Sequence, residues 1–272
     1  RESNIPMKII DMENGKQKIY VNQSHKALKD TIKKGDHLSI YVVDEKLDPS
    51  VTPQDLGLDI QYEDDYVMIV SKPENMQIMV SKAHPEGTLA NAIQYHYVQH
   101  GIQSEIHFVN RLDKESSGIV LVAKNRFIKY LLGKMEDSIT REYYAILDGI
   151  LDQKKMCIDL PISRIENSIL REVSMQGEEC STSFQVAKEF GRFSLIKVLS
   201  ETGRTHQIRV HFSHFSYPIV GDELYNKKSY STQSLMLYSY RISFIHPITD
   251  QTVSVAMDLP ESFQKFMKEH NA

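Results

Sequence analysis

Apolar positions along this chain change their spacing several times, and each change marks an element. Near the N-terminus, Lys18-Ile-Tyr-Val and Leu38-Ser-Ile-Tyr-Val-Val alternate as half-buried strands do, and Lys34-Gly35-Asp36 supplies a turn between them. Tyr66-Val-Met-Ile-Val-Ser is a short apolar run closed by Lys72-Pro73, a strand entering a turn. Thr88 is placed to cap a helix whose apolar face is Leu89, Ala92, Ile93 and Tyr97, and Gly101 ends it. Ile119-Val-Leu-Val-Ala, rich in branched residues, predicts a buried strand. Asn125 is placed to cap a second helix with Phe127, Tyr130, Leu131 and Met135 inward. Segments 142–150 and 193–199 predict further strands. Strands with a few interspersed helices, and no regular βαβ alternation, imply an α+β fold.

An acidic, proline-containing segment over residues 44–57 separates the first strands from the rest and predicts a linker. The expected organisation is an appendage over 1–43, this linker, and a main domain over 58–272. Charge is uneven. The net value is -4, yet Val43 to Tyr66 alone holds eight acids against one base. Lys188 to Lys228 holds seven bases against four acids, so a locally basic face for phosphates is compatible with the acidic total. No apolar run is long enough to span a bilayer, and Arg1 to Lys8 lacks the apolar stretch of a signal peptide. Two cysteines, Cys157 and Cys180, outside any CxxC pair, point to a reducing cytoplasm.

Three stretches differ from ordinary core or loop. In Asn110-Arg-Leu-Asp-Lys-Glu-Ser-Ser-Gly118, Arg111 and Asp113 flank one leucine and in extended chain would face the same side. Asp113 is then a candidate reactive carboxylate, with Ser116, Ser117 and Gly118 forming a tight turn. In Arg141-Glu-Tyr-Tyr-Ala-Ile-Leu-Asp-Gly149, Tyr143 and Ala145 share one face of a strand and Tyr144 takes the other. Glu201-Thr-Gly-Arg-Thr-His-Gln-Ile-Arg-Val-His211, followed by Pro218-Ile-Val-Gly-Asp222, offers Arg204, Thr205, His206 and Arg209 as donors to phosphate or base. A metal site on His206, His211 and His214 is disfavoured, because no acid or cysteine is spaced to complete it and the arginines repel a cation.

In this order, the three stretches resemble the RluA-type family of pseudouridine synthases, in its RluD branch. The family pattern is His-Arg-Leu-Asp with Thr-Ser-Gly, then Lys-x-Tyr-x-Ala, then Thr-Gly-Arg-Thr-His-Gln-Ile-Arg-Val-His, and Lys72-Pro73 is similar to an early Lys-Pro element. The resemblance runs from about Leu58 to the C-terminus. It implies a largely antiparallel mixed sheet with flanking helices and a central catalytic cleft. It also implies an enzyme that isomerises uridines of structured RNA without a cofactor, as a monomer, on ribosomal RNA first and transfer RNA second.

By the same resemblance Asp113 is the catalytic aspartate, Tyr143 the active-site tyrosine, and Arg209 the arginine paired with the aspartate. Arg111 takes the space left by the flipped nucleotide, and Lys72, Arg204, Thr205 and His206 are expected at the RNA. Residues 1–43 resemble the last part of an S4-type RNA-binding module. Four positions depart from the pattern: Asn110 for histidine, Arg141 for lysine, Ser216 for glycine and Tyr238 for histidine. Two other functions suit parts of this set, an RNA glycosylase and a non-catalytic RNA-binding or ribosome-assembly protein. Release of free uracil marks the first, and RNA left unchanged marks the second.

Overall fold

A computed structural model describes residues 10–13, 16–27, 29–43, 45–228, 230 and 234–271. The polar stretch Arg1–Lys8 and Asp44, the first residue of the expected linker, lie outside them. The N-terminal part holds a hairpin of β1 (Met12–Glu13) and β2 (Lys16–Gln17). A small antiparallel sheet follows, in which β3 (Ile19–Val21) lies between β4 (Ser24–His25) and β5 (Leu38–Ile40).

The rest is organised by one ten-stranded sheet. Its strands in chain order are β6 (Asp59–Glu63), β7 (Val67–Lys72), β8 (His107–Phe108), β9 (Ser117–Ala123), β10 (Thr140–Asp148), β11 (Lys155–Asp159), β14 (Ser181–Phe190), β15 (Phe193–Ser200), β16 (Leu237–Ile245) and β17 (Thr252–Ala256). The main path runs β11-β14-β15-β10-β16-β9-β7-β6, with β17 on β16 and β8 on β9. A separate hairpin, β12 (Ile162–Arg164) with β13 (Arg171–Val173), lies outside that sheet, with Ile162 and Val173 packed against Val210. The helices are α1 (Leu89–Gln99), α2 (Arg126–Lys134), α3 (Gln207–His214) and α4 (Glu261–Glu269). The expected α+β fold with a largely antiparallel mixed sheet is the one observed.

Strands β7 and β9 are buried on both faces, which explains their near-continuous apolar runs. Val67, Ile69, Ile119 and Leu121 pack with Ile128 and Leu132 of α2, while Met68, Val70, Val120 and Val122 pack with Leu89, Ile93 and Tyr97 of α1. Each such side chain stabilises the fold by roughly 1.5–3 kcal/mol. Thr88 caps α1 in a reciprocal capping box with Asn91, and the Asn125 side chain caps α2, both as expected. The inward stripe of α2 is rotated from expectation: Ile128 and Leu132 are its buried centre, with Phe127 and Leu131 at the rims.

The acidic segment is no free tether. Asn91 and Gln94 of α1 donate to the backbone carbonyls of Thr52, Asp48 and Val51, and Val51 is buried. Glu45 accepts from Ser104 and the backbone N–H of Arg126 and lies 2.7 Å from His107 Nε2. Among the described residues of the segment, Glu45, Asp48 and Asp55 each accept hydrogen bonds from nearby groups.

Helix α3 ends in a Schellman motif: Tyr217 N–H donates to the Phe212 carbonyl at 2.9 Å and Ser216 N–H to that of Ser213 at 3.0 Å. Ser216 occupies the left-handed position, with φ of 64°, where glycine carries no Cβ penalty. The departure at 216 therefore costs stability rather than altering the turn. Ser216→Gly is expected to raise unfolding stability by about 1 kcal/mol in a denaturant titration.

Candidate active site

Three segments from distant parts of the sheet converge on one opening. The first is the loop before β9. Leu112 packs between the core around β10, β14, β15 and β16 and the core around α1, which leaves Arg111 and Asp113 lining a cavity of about 760 Å³. The loop is tied at both ends. Asn110, buried, accepts from Leu121 N–H at 2.7 Å and donates to the Ile119 carbonyl, standing in for a strand partner of β9. Ser116 N–H closes a turn onto the Asp113 carbonyl at 3.2 Å, so the turn spans 113–116 while Ser117 and Gly118 already belong to β9. Gly118 has φ of +114°, and a Cβ there would lie 2.1 Å from the Ser239 carbonyl oxygen, the point where β16 pairs in parallel with β9.

The second segment is β10, which turns Tyr143 toward the cavity and Tyr144 to the opposite face against Tyr240. Burial, opposed by the Arg141 charge, pushes the Tyr143 phenol above its usual pKa, so it is protonated at neutral pH. The third is the 202–209 stretch, whose last three residues open α3. Gln207 anchors the bend: its Oε1 accepts from Thr202 Oγ1 and Arg204 N–H, and its Nε2 donates to the Ser181 carbonyl and Thr182 Oγ1. His206 sits just before the helix in the left-handed region, with φ of 58° and its Nδ1 2.8 Å from the Tyr225 hydroxyl. Strain of this kind in a non-glycine residue is often held at functional positions.

Arg209 is the centre. Its side chain is 2% exposed, and it donates Nε and Nη2 to the two oxygens of Asp222, both at 2.8 Å. The remaining Nη1 donates to Asp113 Oδ2, also at 2.8 Å. Asp222 is itself fully buried and accepts from the backbone N–H groups of Leu224 and Tyr225. The guanidinium also lies over the Tyr225 ring, 5.4 Å from its centroid. Burial works against the Arg209 charge, but the two carboxylates, Asp222 foremost, outweigh it and drive its pKa further up. Asp113 keeps a quarter of its side chain exposed to the cavity. His206 Nε2 stands 3.9 Å from Asp113 Oδ2, and burial lowers the imidazole pKa, with Asp113 opposing.

The sequence family described as RNA pseudouridylate synthase matches residues 66–214, more than half of the chain. An uncharacterized RNA pseudouridine synthase of Bacillus subtilis, YjbO, is 34% identical over 266 residues, covering 97% of this chain and 94% of its own. The chain belongs to the RNA pseudouridylate synthase family. It is an isomerase. Ribosomal large subunit pseudouridine synthase D of Haemophilus ducreyi is 30% identical, over 79% of this chain and 71% of its own. Human RNA pseudouridylate synthase domain containing 1 shares the fold, with a TM-score of 0.63 and 24% identity over 76% of this chain and 85% of its own.

Of the residues singled out in the synthase sequence, Asp113, Tyr143, Arg111, Arg204, Thr205 and His206 all line the one cavity, and Arg209 lies beneath it. Lys72 does not. Expected at the RNA, it is fully buried, and its Nζ donates to the carbonyls of Pro73, Met76 and Lys114 at 2.8–3.0 Å. Burial pushes its pKa down to about 8, with Asp113 opposing first. It braces the Asp113 loop from behind. His211 likewise points away, toward Thr182 Oγ1 and the Leu160 carbonyl. Tyr238, the departure on β16, is buried core beside Phe263.

Asp222, Gln207 and Tyr225 are the residues that sequence reasoning left without a role. An arginine destined for burial needs a buried acid, and Asp222 is the nearest acid downstream of Arg209. Removing only Arg209 strands Asp222. Arg209→Met is expected to cost about 3–5 kcal/mol in denaturant unfolding. The double variant Arg209→Met/Asp222→Leu should recover most of that loss, because no uncompensated buried charge is left.

Proposed function

We propose that Asp113 acts on the sugar–base linkage of a uridine swung out of an RNA chain into this cavity, and that the RNA is ribosomal. The observation that carries the reading is the 2.8 Å bond from a buried, doubly anchored Arg209 to the half-buried carboxylate of Asp113, which lines the cavity. A cation held this rigidly fixes where the carboxylate points. Oδ2 engages Arg209, leaving Oδ1 as the oxygen free of that bond to meet the anomeric carbon or support the departing uracil.

The reaction breaks the bond from N1 to the sugar, turns the base, and joins C5 to the sugar. The hydrogen on C5 is released to water and N1 gains one, so no electrons are exchanged with a cofactor. Tyr143 is read as the platform on which the uracil rests. As a protonated phenol it is suited to stacking and donation before any role as base. Arg111, exposed at the rim, is read as occupying the gap the uridine leaves. Arg204, Thr205 and His206 would steady the flanking chain.

Support for ribosomal RNA as substrate comes from relatives named for the large ribosomal subunit, with transfer RNA the next choice. Residues 1–43, on their resemblance to the end of an S4-type module, are read as an RNA-binding appendage to the catalytic unit, and the enzyme as a cytoplasmic monomer.

The test is tritium release from RNA labelled at uridine C5 and made in cells lacking the enzyme, with ribosomal and transfer fractions assayed separately. Wild-type chain is expected to release tritium from ribosomal RNA without free uracil, and Asp113→Asn to release none while still binding. Free uracil would establish a glycosylase. No release from either fraction, with RNA still bound, would establish a binding protein.

A further inference from the structure

A second cavity, of about 520 Å³, opens beside the catalytic one and shares Arg111, Arg164, Arg171 and Arg204 with it. Two of these, Arg164 and Arg171, stand on the β12–β13 hairpin, at positions paired across its two strands. Four guanidiniums therefore border one hollow in a chain whose net charge is -4. The only acid among the described residues lining it is Glu178, whose carboxylate pairs with Arg204 at 2.7 Å. Like charges are not gathered this way by folding, since they repel and bury little surface.

The hairpin arginines are partly committed. Arg164 Nε donates to the Ser168 carbonyl, and Arg171 Nη1 to the carbonyls of Ile169 and Leu170. These bonds hold the hairpin tip and set the guanidiniums in place, while each retains further N–H groups for a ligand. Planar forks with spare donors suit phosphate oxygens, which accept two parallel bonds.

We propose that this second cavity is a phosphodiester subsite, which seats the RNA backbone beside the target uridine and is gated by Glu178. Arg164 and Arg171 grip consecutive phosphates, and Arg111 and Arg204 stand at the passage into the catalytic cavity. Glu178 competes with the phosphate for Arg204 and must be displaced when RNA enters. The inference rests on the RNA-modifying reading of the adjoining cavity, but its test does not depend on turnover.

The probe is a fluorescein-labelled oligouridylate of twelve nucleotides, titrated into the full chain by anisotropy at several salt concentrations. Arg164→Gln/Arg171→Gln should weaken binding by tenfold or more. It should also flatten the plot of log affinity against log salt by about 1.4, as loss of two single-strand phosphate contacts requires. Glu178→Gln, at an exposed position, should do the reverse and tighten binding severalfold. In the tritium assay the double arginine variant should lose efficiency through KM more than through kcat. A weakened double variant alone could reflect a misfolded hairpin, so the tightening by Glu178→Gln is required as well. Unaltered affinity and salt slope in the arginine variant, or no tightening in Glu178→Gln, would overturn the subsite. Absent tritium release with these binding changes intact would instead overturn the catalytic reading.

Discussion

The structure depends on a buried arginine held between two carboxylates. Asp222, fully enclosed and fed by two backbone N–H groups, takes Arg209 in a two-pronged grip, and the third edge of the guanidinium is left for Asp113. Burying a lone charge costs several kcal/mol, so neither Arg209 nor Asp222 is tolerable without the other. Their mutual need fixes the start of α3 against the turn after Ile219, and fixes with it the position from which Asp113 must be approached. Asp113 alone of the three reaches the cavity, so an arrangement stable in the core delivers one oriented carboxylate at the surface.

The sheet brings these parts together. The parallel contact between β16 and β9, unlike the antiparallel pairs on either side of it, lets the Asp113 loop enter the middle of the sheet next to Tyr143 on β10. Gly118 permits the approach, because any side chain there would strike the Ser239 carbonyl. Behind the loop, the Lys72 amine gathers three carbonyls, including that of Lys114. Asn110 supplies the hydrogen bonds that a further strand would otherwise give to β9. The functional loop is thus irregular in backbone and rigid in context, which is what a preorganised site requires.

Much of this was legible in the sequence where chemistry is local. Branched runs on β7 and β9, the caps at Thr88 and Asn125, and the glycine after α1 follow from periodicity and backbone preference. Asp113, Tyr143 and Arg209 stood out through their motifs. What stayed hidden depends on tertiary partners. Lys72 reads as a surface cation until the carbonyls around it are seen. The acidic segment before β6 reads as a linker, and its sequence does not show that Glu45 meets His107 or that Val51 is buried. Helix α3 was hidden by its own motif, whose polar donors suggest a binding loop although Gln207, Arg209 and His211 are all spent inward. Asp222 closes a stretch that the sequence singles out, but its partner is a residue 13 positions earlier that no local spacing reveals.

The most direct test uses Asp222, which is fully buried and does not line the cavity. If its grip on Arg209 is what aims Asp113, then Asp222→Asn should lower kcat for tritium release by at least tenfold, roughly 1.4 kcal/mol of barrier, while KM changes little. A folded Asp222→Asn enzyme with wild-type kcat would contradict the account, because Asp113 would then need no such support.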